Sequence, residues 1–421
     1  MSLEHIVAVV LAGGEGKRLK PLTSDIPKPL LEFAGEYKII DFVLSNLYNS
    51  GIKRIFTILQ DKPQELSNYI QGVWDQEALS DVSVDILEPK YGVFEGTADA
   101  VFKNWKKISN AAKSALSRDI AIFGADHVYR MDLNPMFEVH QKTNADLTLV
   151  AVEVPKEQAP HLGVIEAEEK HGYLSMKGFG EKPQNDIKTV PGNPDKVLGS
   201  MGNYIFKKEV LSDLDSLGLN DFGHDIVPYL LENGYKISIY NFNENIFPGI
   251  TEGEIGYWID VGTMGNYFNA HMDICSTTPR LNLFNEDWLI RTGEKKHGGV
   301  KGDHLESKLK NYYIPRGAII SGSYLDGVVA APCVIRSATL RGAVIGNDVE
   351  IIGPDVHIEN AILDEGCKIN PGVHIHPGLP GPWKEIEEGL GIFYNEKLNL
   401  YKSNDKIIVP KNAVISQNLF A

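Results

Sequence analysis

The last quarter of the chain repeats with a period of six residues, and this period restricts the possible folds more than any other feature. The recurring apolar positions are Val328, Val334, Leu340, Ile352 and Ile358, with Gly346 as one gap, and, after a shift of one residue, Leu363, Ile369 and Ile375. A repeat of six is typical of a parallel β-helix, in which each hexad forms one side of a coil. Short antiparallel strands would alternate without this period. We therefore predict a left-handed parallel β-helix of hexapeptide type over residues 313–421.

The first two-thirds of the chain alternates strand and helix patterns. Runs such as "RIFTIL", "IAIFGAD" and "LTLVAVEV" predict strands, and "IIDFVLSNLYNSG" has the apolar spacing of a helix that stops at Gly51. We predict a doubly wound, mostly parallel (Rossmann-like) α/β domain over residues 1–279, and the polar, glycine-rich segment 280–312 as a linker. Ligands of such sheets bind beyond the carboxyl ends of the strands.

The composition excludes several classes of function. The chain has 421 residues, a net charge of -15 and an isoelectric point of about 5.3, whereas proteins that bind a nucleic-acid backbone usually carry a basic face. Cys275, Cys333 and Cys367 are odd in number and far apart, so they predict neither a disulfide framework nor a metal site. Because no apolar run could span a bilayer and no signal-peptide pattern is visible, we predict a cytoplasmic protein that binds neither nucleic acid nor membrane.

A glycine-rich loop follows the first strand pattern, in "VVLAGGEGKRLKPLT". Gly13, Gly14 and Gly16 can expose backbone N–H groups as an anion nest, and Lys17 and Arg18 add positive charge. The loop matches neither the Walker pattern nor the dinucleotide fingerprint. It is therefore either a phosphate loop of another kind or a strand-to-helix turn with solvated charges.

Further charged residues follow other predicted strands. Asp126 ends "IAIFGAD" and Asp260 ends "GYWID", and two such carboxylates are a plausible clamp for Mg²⁺, although either could instead cap a helix. Glu181 and Lys182 lie in "GFGEKP", and "FEGTADAV" adds a second glycine turn. Together, the glycine turns, cations and carboxylates on one α/β sheet are what transfer of a nucleotidyl group needs.

Longer segments resemble the sugar-1-phosphate nucleotidyltransferases and, within them, the bacterial glucose-1-phosphate adenylyltransferases. These segments are "LAGGEGKRLKPLT", "PKPLLEF", "IIDFVLSNLYNSGI", "GTADAV", "GADHVY", "GFGEKP", "SMGNYIF" and "YWIDVGT". The resemblance implies Mg²⁺-dependent transfer of AMP from ATP to glucose 1-phosphate, giving ADP-glucose and pyrophosphate. It also implies the first committed step of glycogen (α-glucan) synthesis, in a homotetramer or a mixed tetramer with a paralogous subunit.

The resemblance also assigns expected roles to matching residues. Arg18, Asp126 and Lys182 would be catalytic, and Asp126 and Asp260 would hold the metal. The nucleotide would contact Gly13, Gly14, Gly16, Arg18, Lys28, Gly96 and Thr97. Glucose 1-phosphate would contact Gly163, Glu181, Lys182 and Ser200, with Lys182 on its phosphate.

The sequence departs from this pattern at positions linked to effectors and near the second glycine turn. These positions are Glu15, Asp25, Ile26, Glu32, Phe94 and Glu95, and the family usually has basic residues at several of them. Because a carboxylate repels a phosphate dianion, we predict weak or absent activation by fructose 1,6-bisphosphate. Lys20 or Lys38 could restore an anion site.

Three alternatives remain open at this stage. The chain could be a weakly active regulatory subunit, although Arg18, Asp126, Lys182 and Asp260 are all present. It could use another nucleoside triphosphate or another sugar phosphate. Finally, the β-helix could transfer acyl groups with one of three histidines as base, namely His357, His374 or His376.

Overall fold

The apolar run before the glycine loop forms an interior strand of a nine-stranded sheet. The computed structural model describes residues 3–74, 81–89, 92–293, 307–314 and 317–416. The strands of the sheet are β1 (Val7–Ala12), β4 (Arg54–Leu59), β5 (Ser83–Leu87), β6 (Asp119–Gly124), β8 (Leu147–Pro155), β9 (Gly163–Lys170), β10 (Tyr173–Glu181), β11 (Lys196–Lys207) and β12 (Ile237–Asn241). Their order is β5-β4-β1-β6-β11-β8-β12-β10-β9.

The sheet is mixed, which corrects the prediction of a mostly parallel one. Strands β5, β4, β1 and β6 are parallel neighbours, and β12 runs parallel to β8. By contrast, β11 is antiparallel to β6, β8 and β9, and β10 is antiparallel to both of its neighbours. Parallel neighbours need a crossover, usually through a helix, whereas β9 ends at Lys170 and β10 begins at Tyr173, so these two strands form an antiparallel hairpin.

Helices cover both faces of the sheet. They are α1 (Ile39–Asn49), α2 (Pro63–Trp74), α3 (Thr97–Phe102), α4 (Trp105–Ser114), α5 (Asn134–Thr143), α6 (Lys208–Leu214) and α7 (Val227–Glu232). Side chains alternate along a strand, so Ala8 and Val10 of β1 pack in the layer of α1, α2 and α5. Val7 and Val9 pack against α3, α4, α6 and α7 on the other face. β1 is therefore buried on both faces, as its apolar sequence predicts.

Two short strand pairs lie outside the large sheet. One is a hairpin of β2 (Glu32–Phe33) and β3 (Tyr37–Lys38), and the other joins β7 (His127–Tyr129) to β13 (Trp258–Asp260). The second pair is antiparallel and places Asp260 opposite His127. It therefore brings together two parts of the chain that are far apart in the sequence. Helix α8 (Met264–Ile274) follows β13 directly.

The carboxyl-terminal part forms stacked coils of short parallel strands. They are β14 (Lys308–Tyr313), β15 (Ile319–Ser321), β16 (Tyr324–Ala330), β17 (Val334–Ile345), β18 (Glu350–Leu363), β19 (Lys368–Ile369), β20 (His374–Ile375), β24 (Lys406–Val409) and β25 (Val414–Ile415). Inward residues stack in register, as in the row Leu325, Leu340, Ile358 and Ile375. β14 pairs in parallel with β16, so the described part of the coil includes residues 308–312 as well.

Two details of the coil differ from the expected period. Val334 and Ile352 are only partly buried, and their neighbours Ile335 and Ile351 point inward instead. The register then shifts by two residues of β18, because Arg336 pairs with Ile352 whereas Ala338 pairs with Val356. In addition, β21 (Lys384–Glu385), β22 (Ile392–Asn395) and β23 (Leu400–Ser403) leave the coil as an antiparallel meander before β24 rejoins it. The predicted hexapeptide coil is therefore interrupted.

The two parts of the chain share an apolar junction. Outward residues of the coil, among them Val344, Ile362 and Ile408, pack in one cluster with Phe268 of α8. A Cβ at Gly35, where φ is 67°, would lie 2.8 Å from the Cα of Ala331 in the coil. The backbones thus approach closely at this point.

The first half of the predicted linker packs on the first domain. Trp288 is buried and its Nε1–H donates to Asn46 Oδ1 at 3.3 Å, and the Arg291 N–H donates to Ser45 Oγ at 2.8 Å. Residues 294–306 of the predicted linker lie outside the described residues. Within the described ranges, no helix has the length and apolar character needed to cross a membrane.

Candidate active site

A cavity of about 490 Å³ opens at the carboxyl ends of the parallel strands β1, β4 and β6. Its volume is in the usual range of small-molecule sites. Most of the predicted site residues line it, namely Gly13, Gly14, Lys28, Gly96, Thr97, Asp126, Gly163, Glu181, Lys182, Ser200 and Asp260. Gly16 and Arg18 are not among the lining residues and lie on the next turn of the loop.

Asp126 and Asp260 meet on one side of the cavity. Asp126 follows the end of β6, and Asp260 is brought beside it by the pairing of β13 with β7. The Lys28 Nζ lies between them, 3.0 Å from Asp126 Oδ2 and 3.3 Å from Asp260 Oδ1. Only 7% of the Lys28 side chain is exposed. A buried ammonium therefore bridges the two carboxylates.

This bridge favours the charged forms of Lys28 and Asp126. Burial lowers the pKa of Lys28, but attraction to Asp126 and Asp260 outweighs it, so the pKa lies above its ordinary value. Burial likewise opposes ionisation of Asp126, yet attraction to His127 and Lys28 holds its pKa well below the usual range. The ammonium of Lys28 and the carboxylate of Asp126 are therefore both charged at neutral pH.

The same cluster fits a divalent cation. One ligand atom from each of Asp126, His127 and Asp260 lies within 4.8 Å of the others. Carboxylate oxygens are what Mg²⁺ prefers, together with water and substrate phosphates. Lys28 already occupies the position between the carboxylates with a positive charge. The donor set and its charge therefore fit a divalent cation that prefers oxygen ligands.

Arg18 approaches this cluster from the glycine loop. A Cβ built at Gly262 would lie 2.7 Å from Asp260 Oδ1 and 3.1 Å from both Arg18 Nη2 and Lys28 Nζ. The Gly262 N–H itself donates to Asp260 Oδ1 at 2.8 Å. The guanidinium, the ammonium and the carboxylate thus converge on one glycine, which leaves no space for a side chain.

Glu181 and Lys182 lie elsewhere on the cavity wall, at the end of β10. The Lys182 Nζ is 3.1 Å from Glu181 Oε1, and 61% of the Lys182 side chain is exposed. Gly163 pairs with Glu181 across the β9–β10 ladder, and the Lys182 N–H donates to Leu162 O at 3.0 Å. Ser200 lines the same cavity from β11. An exposed cation thus lies at the hydrogen-bonded ends of two strands.

The second glycine turn is held by residues that sequence reasoning missed. The Thr97 Oγ1 donates to Asp221 Oδ2 at 3.0 Å and accepts from the Phe222 N–H at the same distance. The Phe94 N–H donates to Gln60 Oε1 at 2.6 Å. Gln60 directly follows β4, so the rule that revealed Asp126 could also have found it. Asp221 follows no strand and had no comparable signal.

The acidic departures near the glycine loop pair with neighbouring lysines. The Glu15 carboxylate is 3.0 Å from Lys17 Nζ, and the Glu32 carboxylate is 3.1 Å from Lys38 Nζ. The Nζ of Lys20 lies 4.0 Å from the carboxylate of Glu387 in the meander. Each of these lysines therefore has an acidic neighbour.

Comparison with known proteins gives concordant matches for both parts of the chain. Residues 7–277 match the family described as "Nucleotidyl transferase", and residues 300–378 match "GlmU-like, C-terminal hexapeptide". The chain is 37% identical to a protein from Trichlorobacter lovleyi over 88% of its length and 91% of the relative. It is 38% identical to one from an Anaeromyxobacter species, covering 87% and 92%, and 33% identical to one from Corynebacterium jeikeium, covering 98% of each. All three relatives are named glucose-1-phosphate adenylyltransferase.

Proposed function

Because the chain belongs to the glucose-1-phosphate adenylyltransferase family of nucleotidyl transferases, we propose that it transfers AMP from ATP to glucose 1-phosphate. The products are ADP-glucose and pyrophosphate. One structural observation supports this proposal independently of the names of the relatives. A single cavity has the Asp126–Lys28–Asp260 cluster on its wall together with Glu181 and Lys182.

The reaction needs no protein base. The second pKa of a phosphate monoester is about 6, so glucose 1-phosphate is mostly a dianion at neutral pH and is already a nucleophile. One of its oxygens attacks the α-phosphorus of ATP, and pyrophosphate leaves in line. The task of the enzyme is to bring two anions together and to stabilise the charge that develops on pyrophosphate.

The chain supplies separate cations for the two substrates. Lys182 would bind the phosphate of glucose 1-phosphate, and Glu181, Gly163 and Ser200 would contact the sugar. The N–H groups of Gly13 and Gly14, with Arg18, would bind the triphosphate, assisted by the turn at Gly96 and Thr97. This division is supported by the location of Lys182 at the end of β10, away from the glycine loop that follows β1.

Asp126 and Asp260 would hold the magnesium ion. When bound, Mg²⁺ would neutralise negative charge on the triphosphate and act as a Lewis acid. Lys28 fits a role beside it, because its ammonium already balances the same two carboxylates. Once a divalent cation supplies that charge, Lys28 is free to contact phosphate oxygens instead.

The sequence patterns further predict the doubly wound topology, the left-handed winding of the coil, the domain limits 1–279, 280–312 and 313–421, and the cytoplasmic location. The resemblance implies the homotetramer or mixed tetramer and the role in glycogen synthesis. The intact set of Arg18, Asp126, Lys182 and Asp260 argues against a purely regulatory subunit.

The decisive assay measures pyrophosphate release with a panel of nucleoside triphosphates and sugar 1-phosphates in the presence of Mg²⁺. We expect the highest kcat/KM with ATP and glucose 1-phosphate. A clear preference for UTP, GTP or another sugar phosphate would assign the chain a different substrate. Absence of turnover with every pair would favour the regulatory subunit.

A further inference from the structure

Two histidines and an aspartate meet on the outer surface of the coil, far in sequence from the cavity residues. His357 of β18 and His374 of β20 are in-register partners on neighbouring parallel strands, and their ring centroids are 4.8 Å apart. The Nε2–H of His374 donates to Asp355 Oδ1 at 3.2 Å, and the Nε2 of His357 lies 3.3 Å from the same oxygen. All three side chains are at least half exposed.

The distances match those of ligands around one metal ion. Ligand atoms about 2.1 Å from a tetrahedral Zn²⁺ lie roughly 3.4 Å from one another. The two nitrogen–oxygen distances here are 3.3 Å and 3.2 Å, and all three ligand atoms lie within 4.8 Å of one another. The two imidazole nitrogens are directed at the same carboxylate oxygen. A small rotation of the side chains would make room for an ion between these three atoms.

We propose that Asp355, His357 and His374 form a binding site for a divalent transition-metal ion of the Zn²⁺ class. Imidazole nitrogens favour Zn²⁺ over Mg²⁺, which prefers oxygen ligands. Three protein ligands leave a fourth position for water or another donor. The site is therefore chemically different from the Asp126–Asp260 cluster, and it does not depend on the function proposed for the cavity.

The backbone holds the three ligands on two successive coils. The His357 N–H donates to Val373 O, and the Gly372 N–H donates to Pro354 O, each at 3.0 Å. Asp355 has a φ of 59°, which is the left-handed conformation that Asp tolerates. At this residue the side chains no longer alternate between the two faces of the strand. Since the hydrogen-bonded strands fix the spacing of the two histidines, only side chains need to move when the ion binds.

The surroundings leave one side of the site accessible. A hollow of about 510 Å³ adjoins the two histidines and is also lined by Thr339, Glu359 and His376. The guanidinium of Arg341, another lining residue, lies 5.7 Å from the ring centroid of Tyr324. A bound ion would connect two coils, and we therefore expect it to raise the thermal stability of the coil.

The test uses the full-length chain carrying Asp126→Asn and Asp260→Asn, so that the other cluster cannot take up the metal. Zinc binding is measured by calorimetry on metal-free protein, and Co²⁺ serves as a spectroscopic probe of the ligand field. We expect one Zn²⁺ per chain and a rise in Tm on binding. His374→Gln and His357→Gln should each weaken binding at least about tenfold. Loss of a residue that only hydrogen-bonds to a metal ligand weakens binding roughly 10–100-fold, and loss of a ligand itself should cost at least the lower end of that range.

His376→Gln is the matched control, because His376 is an exposed histidine two residues from His374 outside the triad. It should bind zinc as the parent chain does. The proposal is wrong if the parent binds no zinc, or if His374→Gln and His357→Gln bind it as tightly as His376→Gln does. A Co²⁺ spectrum that His374→Gln leaves unchanged would also overturn it.

Discussion

At the scale of single residues, the Lys28 ammonium bridges the two aspartates that would hold the metal. The sequence placed Lys28 with the nucleotide and the two aspartates with the metal, whereas the structure joins all three in one bridge. A buried ammonium between two carboxylates shows that this position is built for positive charge. It also means that a metal ion and the ammonium compete for the same carboxylates.

Replacement of Lys28 tests this competition. With Lys28→Gln, we expect Mn²⁺ to bind at least about tenfold more tightly in the absence of ATP. In the unmodified chain the metal must displace the ammonium from its charged hydrogen bonds to the carboxylates, and the variant lacks these bonds. Electron paramagnetic resonance of free Mn²⁺ measures this directly. Lys182→Gln is the control, since Lys182 pairs with Glu181 instead. Equal Mn²⁺ affinity in all three proteins would contradict the competition.

Asp126→Asn should abolish most turnover while the fold persists. The change keeps the shape of the side chain but removes a charge that would hold the metal, and by analogy with loss of an oxyanion donor we expect kcat to fall roughly 10²–10³-fold. Asp85→Asn, at an exposed carboxylate of β5, is the control. Comparable activity of the two variants would show that Asp126 is not catalytic.

Lys182→Ala should mainly raise the KM for glucose 1-phosphate. Lys182 would bind the phosphate in the ground state as well as in the transition state, so its loss weakens binding more than it slows chemistry. Steady-state kinetics with each substrate varied in turn gives the answer. If the KM for ATP rose and the KM for glucose 1-phosphate did not change, the assignment of the two substrates to the two ends of the cavity would be wrong.

The sequence predicted the residues that follow strands better than those whose partners are distant. Gly13, Asp126 and Asp260 come directly from strand-end positions, and the structure places them on one cavity. The contact of Thr97 with Asp221 joins residues 124 positions apart, and no local pattern reports such a contact. The bridging geometry of Lys28 likewise depends on β7 and β13 pairing across the fold.

At the scale of elements, two short strand pairs position residues of the cavity and the charged residues at which an effector was expected to bind. The β7–β13 pair positions Asp260, and the hairpin of β2 and β3 carries Glu32 and Lys38 on facing residues. Asn347 of the coil also donates to the Glu32 carboxylate. The hairpin is thus tied to the coil through an acidic residue where the resemblance leads us to expect a basic one.

Activation by fructose 1,6-bisphosphate should be weak or absent. Lys17, Lys20 and Lys38 each have an acidic neighbour, and a carboxylate about 4 Å from a phosphate charge costs on the order of 1 kcal/mol even in water. The rate is measured against effector concentration at fixed, subsaturating ATP, and Glu15→Arg should increase any response. A strong, saturable rise at micromolar effector in the unmodified chain would refute this prediction, and its loss in Lys38→Ala would locate the anion site.

The order of elements was predictable to a limited depth. Alternation of apolar and polar runs gave the α/β domain, and the six-residue period gave the coil. The antiparallel direction of β11 was not predictable, because its partners β6, β8 and β9 are not adjacent to it in the sequence. The meander at β21–β23 was not predictable from the six-residue period, because it interrupts the coil. Ile335 and Ile351 point inward as in-register partners, one residue away from the predicted positions Val334 and Ile352.

At the scale of the whole molecule, a neutral buried histidine lies close to the junction of the two parts. The Nε2 of His271 in α8 accepts from the Ala34 N–H at 3.1 Å, and its Nδ1–H donates to Tyr267 O at 2.8 Å. Burial lowers the pKa of His271 to about 4. A proton on Nε2 would remove the acceptor that Ala34 uses, one residue before the close approach at Gly35.

Acidification should therefore weaken this region. Because the pKa is about 4 in the folded chain and 6.5 in the reference state, the unfolded chain binds more protons between these values. The stabilisation is complete above pH 6.5 and is lost as the pH falls towards 4, by at most about 3 kcal/mol. The difference in Tm between the unmodified chain and His271→Gln should shrink from pH 7 to pH 5. A difference in Tm that stays the same from pH 7 to pH 5 would show that protonation of His271 does not cause the loss of stability.

Isotope labelling tests whether glucose 1-phosphate itself attacks ATP in this cavity. The chain is incubated with Mg²⁺, ATP and glucose 1-phosphate carrying ¹⁸O in its phosphate, and the products are analysed by mass spectrometry. We predict that ADP-glucose retains all of the label and that pyrophosphate contains none, because every oxygen of the attacking phosphate stays with the sugar nucleotide. Label in pyrophosphate, or no ADP-glucose from an intact and folded chain, would contradict the account.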